Sequence, residues 1–171
     1  MRLGEPSQRD LAGRLGESVA SMFLLRPLPG RDYLFSTCFL GDKWPTADFL
    51  VELVGTTRPC FFLAQIRAVS LSPNSRERLT IAFDPKHLQA LSAYPIPTYL
   101  IGVDLLQSKA YLVSANGEQL EPEAGMTVNY PLSDESVMLG LWEEVAAFWD
   151  GFPTTTPKLT SQFLDPRWRS I

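Results

Sequence analysis

Apolar residues open the chain at helical spacing. Leu11, Leu15, Val19 and Met22 recur on one stripe, Phe23 widens it, and together they predict a helix from Gln8 to Leu25 with that stripe inward. Ser7 is placed to cap this helix, and Pro27 with Pro29-Gly30 to end it. The period then shortens. Tyr33 to Leu40 and Ala47 to Val54 read as strands around the turn-forming Gly41-Asp42-Lys43-Trp44-Pro45, and Cys60 to Val69 reads as a third.

Ser70 to Arg78 is polar and contains Pro73-Asn74, which predicts an exposed loop before a short strand, Leu79 to Phe83. Asp84-Pro85 is a helix start: the acid caps and the proline fits the first helical position, carrying a helix to about Ala93. Pro97 to Val103 and Lys109 to Ser114 follow as a hairpin around residues 104–108, and Asn116-Gly117 marks a turn. A last helix from Asp134 to Trp149, capped by Ser133, turns Val137, Leu141, Val145 and Phe148 inward. The order predicts an α/β chain bordering on α+β, a central mixed sheet flanked by helices. Residues 1–150 are expected to form one domain and 151–171 an irregular tail.

Composition adds a few boundaries. At 171 residues and 45% apolar content, the chain fits one domain with a proper core. Neither a cationic flank with an apolar run at its start nor a membrane-length apolar stretch is visible. Cys38 and Cys60 sit apart in apolar surroundings and read as buried free thiols of a cytoplasmic protein. The net charge of −4 is uneven: residues 104–150 are acidic with Lys109 as the single base, whereas Arg58, Arg67, Arg76, Arg78 and Lys86 oppose only Glu77 and Asp84. Local cation density of that kind suits phosphate, and Arg76, Arg78 and Lys86 are the candidate nucleic-acid contacts. An ordinary solvated loop is the alternative.

Most catalytic patterns are absent. His87 is the lone histidine and reads as a surface residue, and no phosphate-cradling glycine loop, dinucleotide fingerprint or zinc spacing occurs. Carboxylates remain. Glu17 lies on the first helix beside Gly13, Gly16 and Ala20, small residues that allow close approach to another element. Asp48 heads an apolar strand, and Gln65 and Arg67, two apart, share a strand face. Such polar groups need partners, because burying an amide or guanidinium alone is costly. A buried salt bridge from Arg67 to Asp48 or Glu17 and a chemical site both satisfy this spacing. Glu52, about 13 Å along the strand from Asp48, reads as a solvated charge.

Gly13-x-x-Gly16-Glu17 on a helix, an aspartate heading a strand and Gln65-x-Arg67 on the next strand resemble the PD-(D/E)XK nuclease-like domains, in particular the Gln-x-Lys variant of Mrr-type restriction endonucleases. The segments Pro95 to Asp104 and Lys109 to Val113 extend the likeness, which covers about Gln8 to Ser114. The resemblance implies a restriction-endonuclease-like core. It also implies a site in which Asp48, Glu17 and Gln65 hold Mg²⁺ or Mn²⁺ and Arg67 stands at the lysine position. Two departures mark that site as eroded. Arg67 stays protonated and cannot take a proton from water, and Thr46-Ala47 replaces the family's usual glycine and acid. The implied function is a nuclease-like domain acting on or binding DNA. The alternatives are an active Mg²⁺-dependent endonuclease in bacterial defence, and a non-enzymatic interaction or immunity-type protein. The last expects an exposed apolar or acidic patch near the last helix, where Trp142 and Trp149 lie, and core packing is the alternative for both tryptophans. A homodimer or protein partner is implied by the same likeness.

Overall fold

A computed structural model describes residues 8–41, 44–74, 77–116, 120–121, 125–152, 161–164 and 169–170. Helix α1 (Gln8–Leu24) precedes strands β1 (Phe35–Phe39), β2 (Phe49–Leu53) and β3 (Phe61–Val69). A two-residue strand β4 (Arg78–Leu79) and helix α2 (Pro85–Ser92) lead into β5 (Thr98–Asp104) and β6 (Lys109–Ser114). The chain continues through β7 (Leu120–Glu121), β8 (Met126–Thr127), α3 (Glu135–Asp150) and β9 (Arg169–Ser170). The class is α+β: a mixed five-stranded sheet with three helices. Among the described residues, no helix is long and apolar enough to cross a membrane.

The sheet runs in the order β1-β2-β3-β5-β6. Neighbours are antiparallel except β3 and β5, which pair in parallel from Leu63↔Thr98 to Val69↔Asp104. A parallel step needs a crossover, and α2 supplies it. Strand alternation gives two apolar layers. Phe62, Ala64 and Ile66 of β3 join Tyr99, Ile101, Ala20, Leu24, Leu141 and Val145 on the side of α1 and α3. Leu63, Leu100 and Val113 join Leu79, Ile81, Leu88, Leu91 and Met126 on the side of α2.

Helices α2 and α3 match the sequence closely. Asp84 caps α2 by accepting the Lys86 N–H, with Pro85 in the first turn. Asp134, rather than Ser133, caps α3 through the Ser136 N–H, and Val137, Leu141, Val145 and Phe148 are buried as expected. Trp142 and Trp149 pack on the core and donate their indole N–H groups to the carbonyls of Val54 and Phe61, at 3.0 and 2.8 Å. The two indoles therefore belong to the core side of α3.

Helix α1 is correct in extent and rotated in face. Leu11, Leu15 and Met22 are 47%, 57% and 59% exposed, while Gly16, Ala20 and Leu24 face the sheet. A Cβ on Gly16 would stand 2.5 Å from that of Ala68, so the small residues decide the face by letting the helix backbone press onto β3. The cap expected at Ser7 lies outside the described residues. Both cysteines are free, Cys60 buried and Cys38 exposed on the edge strand β1, contrary to the burial expected for Cys38.

Part of the tail docks on the sheet. Phe163 is buried against Tyr99 and Tyr130 and its carbonyl accepts the Ser114 N–H at 2.9 Å. Glu144 ties this segment down, accepting the Tyr99 hydroxyl at 2.6 Å and the Gln162 N–H at 2.9 Å. Burial, with the Glu144 carboxylate second, raises the Tyr99 pKa well above its usual value, so the phenol stays the donor. Residues 161–164 carry no helix or strand and pack on the domain through these contacts.

Candidate functional site

The site begins where β2 leaves β3. Phe49 is the ladder partner of Ala64, yet the Asp48 N–H also donates to the Ala64 carbonyl at 2.9 Å, so two residues stand opposite one. That arrangement is a β-bulge, which re-aims a side chain and ends the pairing. Upstream the chain is drawn toward the α2 side, where Thr46 hydrogen-bonds Tyr94 at 2.7 Å and Ala47 enters the apolar layer. The next β3 amide along, that of Ile66, would lose its partner. The Asp48 carboxylate replaces it, Oδ2 accepting the Ile66 N–H at 2.6 Å.

Arg67 reaches into the same gap. Its guanidinium donates to the Ile66 carbonyl at 2.9 Å and stands 3.9 Å from Asp48 Oδ2. The contact is long, and both side chains keep solvent access, 37% for Arg67 and 25% for Asp48. Burial raises the Asp48 pKa, while the Ile66 N–H and the Arg67 charge pull it back without cancelling the rise.

Gln65 lies on the α2 face of β3, between Leu63 and Arg67 in strand alternation and beside Leu100 of β5. It is only 3% exposed as a residue, and the buried side-chain polar atoms without a partner among the described residues are Thr98 Oγ1 and Asp104 Oδ2 rather than its amide. Glu17 approaches from the other face. Because Gly16 packs on Ile66 and Ala68, Glu17 is held at the level of Arg67 but on the α1 side, half-buried and with interactions of its own. The structure thus joins Asp48 to Arg67 directly and sets Gln65 two positions before Arg67 on β3, while Glu17 sits on the helix that packs on the other face of that strand. Glu52 is exposed and takes no part.

The basic candidates fare differently from one another. Arg78 is buried, 3% exposed, with Nη2 donating to the Gly125 carbonyl at 2.7 Å. It pins β4 to the turn before β8, and a guanidinium so enclosed cannot meet a phosphate. Lys86 is exposed on the first turn of α2, and His87 beside it is exposed too. Arg76 lies outside the described residues. Arg58 is engaged with Asp150 at 3.2 Å and the Phe152 carbonyl at 3.1 Å.

Sequence reading passed over two neighbours of this site. Trp44 and Tyr94 stack with ring centroids 6.5 Å apart, and Thr46 joins them through the Tyr94 hydroxyl. The signal was an aromatic placed four residues before Asp48, hidden because Gly41 to Pro45 also reads as a turn. Compared with known proteins, the chain matches no protein-family model, no curated protein and no solved structure.

The raised pKa of Asp48 has a measurable consequence. Folding disfavours its ionised form, so the penalty is absent below the unfolded pKa. It grows as pH rises from the unfolded to the folded value, and is complete above both. Asp48→Asn keeps an acceptor for the Ile66 N–H and removes the charge. The variant is expected to melt about 2 °C above wild type near pH 7, with the two curves converging below about pH 4. Melting temperatures measured from pH 3 to 8 check this. A gain that persists at pH 3 would contradict the assignment to ionisation.

Proposed function

We propose that this is a nuclease-like domain of the PD-(D/E)XK type that binds a phosphodiester of DNA at the Asp48–Arg67 gap together with a divalent cation. The observation that carries the reading is the open Asp48–Arg67 contact: the two charges stand 3.9 Å apart, both side chains keep solvent access, and Gln65 lies two positions before Arg67 on β3. Support also comes from the order of elements, with a helix, three antiparallel strands, a crossover helix and a fourth strand parallel to the third. That order agrees with the restriction-endonuclease-like core the motifs imply.

The donors fit Mg²⁺ or Mn²⁺ in a limited way. Among the described residues, no three His, Cys, Asp or Glu side chains group to hold a metal. Mg²⁺, however, commonly takes one or two carboxylates and completes its shell with water and phosphate oxygens. Asp48 would offer Oδ1, since Oδ2 holds the Ile66 N–H. Gln65 would offer its carbonyl oxygen, and Glu17 a second carboxylate from the α1 side. A bound cation would polarise the phosphate and acidify a water. Arg67 supplies a fixed positive charge and a forked donor for phosphate oxygens, and being always protonated it takes no proton. This arrangement supports affinity for phosphate, whereas cleavage needs a base other than Arg67.

Calorimetric titration of Mn²⁺ in the presence of a short DNA oligomer tests the proposal. Wild type is expected to bind Mn²⁺ and Asp48→Ala to lose at least tenfold in affinity, with Arg67→Lys the variant in which cleavage rises. No Mn²⁺ binding by wild type at millimolar concentration would sink the metal site. The exposed stripe Leu11, Leu15 and Met22 favours a second reading, an interaction domain on the same fold.

A further inference from the structure

The loop that delivers Asp48 carries an aromatic pair that the proposed chemistry leaves unused. Trp44 is 44% exposed, a large apolar ring held in solvent four residues before the carboxylate. It is fixed in place: its indole N–H donates to the Tyr94 hydroxyl at 3.0 Å, which Thr46 engages at 2.7 Å, and Thr46 itself is 8% exposed. The Tyr94 ring lies beside the indole, nearly parallel to it at 28° with centroids 6.5 Å apart, and meets its N–H edge rather than covering a face. With its polar atom already satisfied, Trp44 has a flat π surface and no directional group left to present outward.

Position gives that surface a use. Tyr94 and Ala47 belong to the apolar layer on the α2 side of the sheet, the side on which Gln65 lies. Four residues span at most about 14 Å, so the ring is within a short stretch of nucleotide chain from the Asp48–Arg67 gap. A phosphate held at Arg67 would bring its neighbouring nucleotides past Trp44. Every nucleobase has a π face, but in a duplex those faces are covered by the adjacent base pairs. Only an unpaired or splayed-out base can stack on the indole.

We propose that Trp44, held by Tyr94, is a stacking platform that makes unpaired DNA strands the preferred ligand of this domain. The proposal rests on the Asp48–Arg67 gap binding phosphate, and it adds a specificity-determining residue and a substrate class to that reading. Lysine- or arginine-rich surfaces bind duplex and single strands alike. A lone ordered tryptophan beside the phosphate site discriminates between them.

The test is a titration of intrinsic fluorescence and of anisotropy, in Ca²⁺ to suppress cleavage, with a twelve-nucleotide thymidine oligomer and a blunt duplex of equal length. Wild type is expected to bind the single strand more tightly, with quenching of tryptophan emission. Trp44→Ala should weaken the single strand about tenfold and leave the duplex unchanged, while Trp44→Phe stays within about threefold of wild type. Because Trp44 lies outside both apolar layers, melting curves of the variants should stay close to wild type. Single-strand affinity lost in Arg67→Ala but intact in Trp44→Ala would overturn the platform and leave the phosphate site standing. Single-strand affinity lost in Trp44→Ala but intact in both Arg67→Ala and Asp48→Ala would overturn the phosphate site that the proposal requires. Absence of binding to either DNA by wild type would overturn both.

Discussion

Gly16→Val is expected to destabilise the domain by about 3 kcal/mol or more, whereas Gly13→Ala, less than one turn away, should stabilise it by about 0.5–1 kcal/mol. Both are glycines in the interior of α1, and intrinsic helix propensity alone favours replacing either. Their surroundings separate them. A Cβ at Gly13 meets nothing within 4 Å, while one at Gly16 would stand 2.5 Å from the Ala68 Cβ and 3.6 Å from Ile66. Valine adds two further methyl groups to a contact already closed. The helix must then lift from β3, which also moves Glu17 away from the level of Arg67. Urea denaturation midpoints measure both effects. A Gly16→Val protein within 1 kcal/mol of wild type would show that α1 does not lie against Ile66 and Ala68.

Arg78→Met should lose about 2–4 kcal/mol of stability without altering the salt dependence of DNA binding. The substitution keeps most of the side-chain volume but strips the Gly125 carbonyl of its donor. That carbonyl belongs to a turn with little room to adjust: Gly125 has φ +89°, and a Cβ there would lie 2.6 Å from the Leu79 oxygen. Lys86→Ala is the contrasting change. Lys86 is exposed, so stability should hold; if it meets a phosphate, the slope of log affinity against log salt falls by roughly one. Equal salt slopes for wild type and Arg78→Met, alongside a lowered denaturation midpoint, are the expected pair of results. An unchanged midpoint would show that Arg78 does not pin β4.

Elements with local signals were legible from sequence. Asp84-Pro85 fixed the start of α2, and Lys109–Ser114 was found to the residue as β6, because capping chemistry and strand alternation are encoded within a few positions. The face of α1 was not legible by the same means. A hydrophobic stripe marks the inner face only when side-chain burial decides the orientation, and here backbone approach through Gly16 and Ala20 decided it instead. Arg78 was misplaced for a related reason. At the end of the polar run from Ser70 it reads as loop, whereas it opens β4, and only the return of the chain at Gly125, far along the sequence, encloses it. For the site, the polar pair Gln65 and Arg67 could be read from strand parity. The bulge at Asp48 could not, since it depends on the tether from Thr46 to Tyr94 across the α2 layer.

The burial of Phe163 sets a condition on how the protein is made. Its ring closes over Tyr99 and Tyr130, and its carbonyl completes the bonding of Ser114 on β6. While a ribosome is still building the chain, Tyr99 and the Ser114 end of β6 therefore wait uncovered until residue 163 has cleared the exit tunnel. The last step in folding this layer thus follows the emergence of every strand of the central sheet. The nascent protein exposes a sticky strand border for that interval, and chaperone capture of stalled chains ending before residue 161 is the signature it would leave.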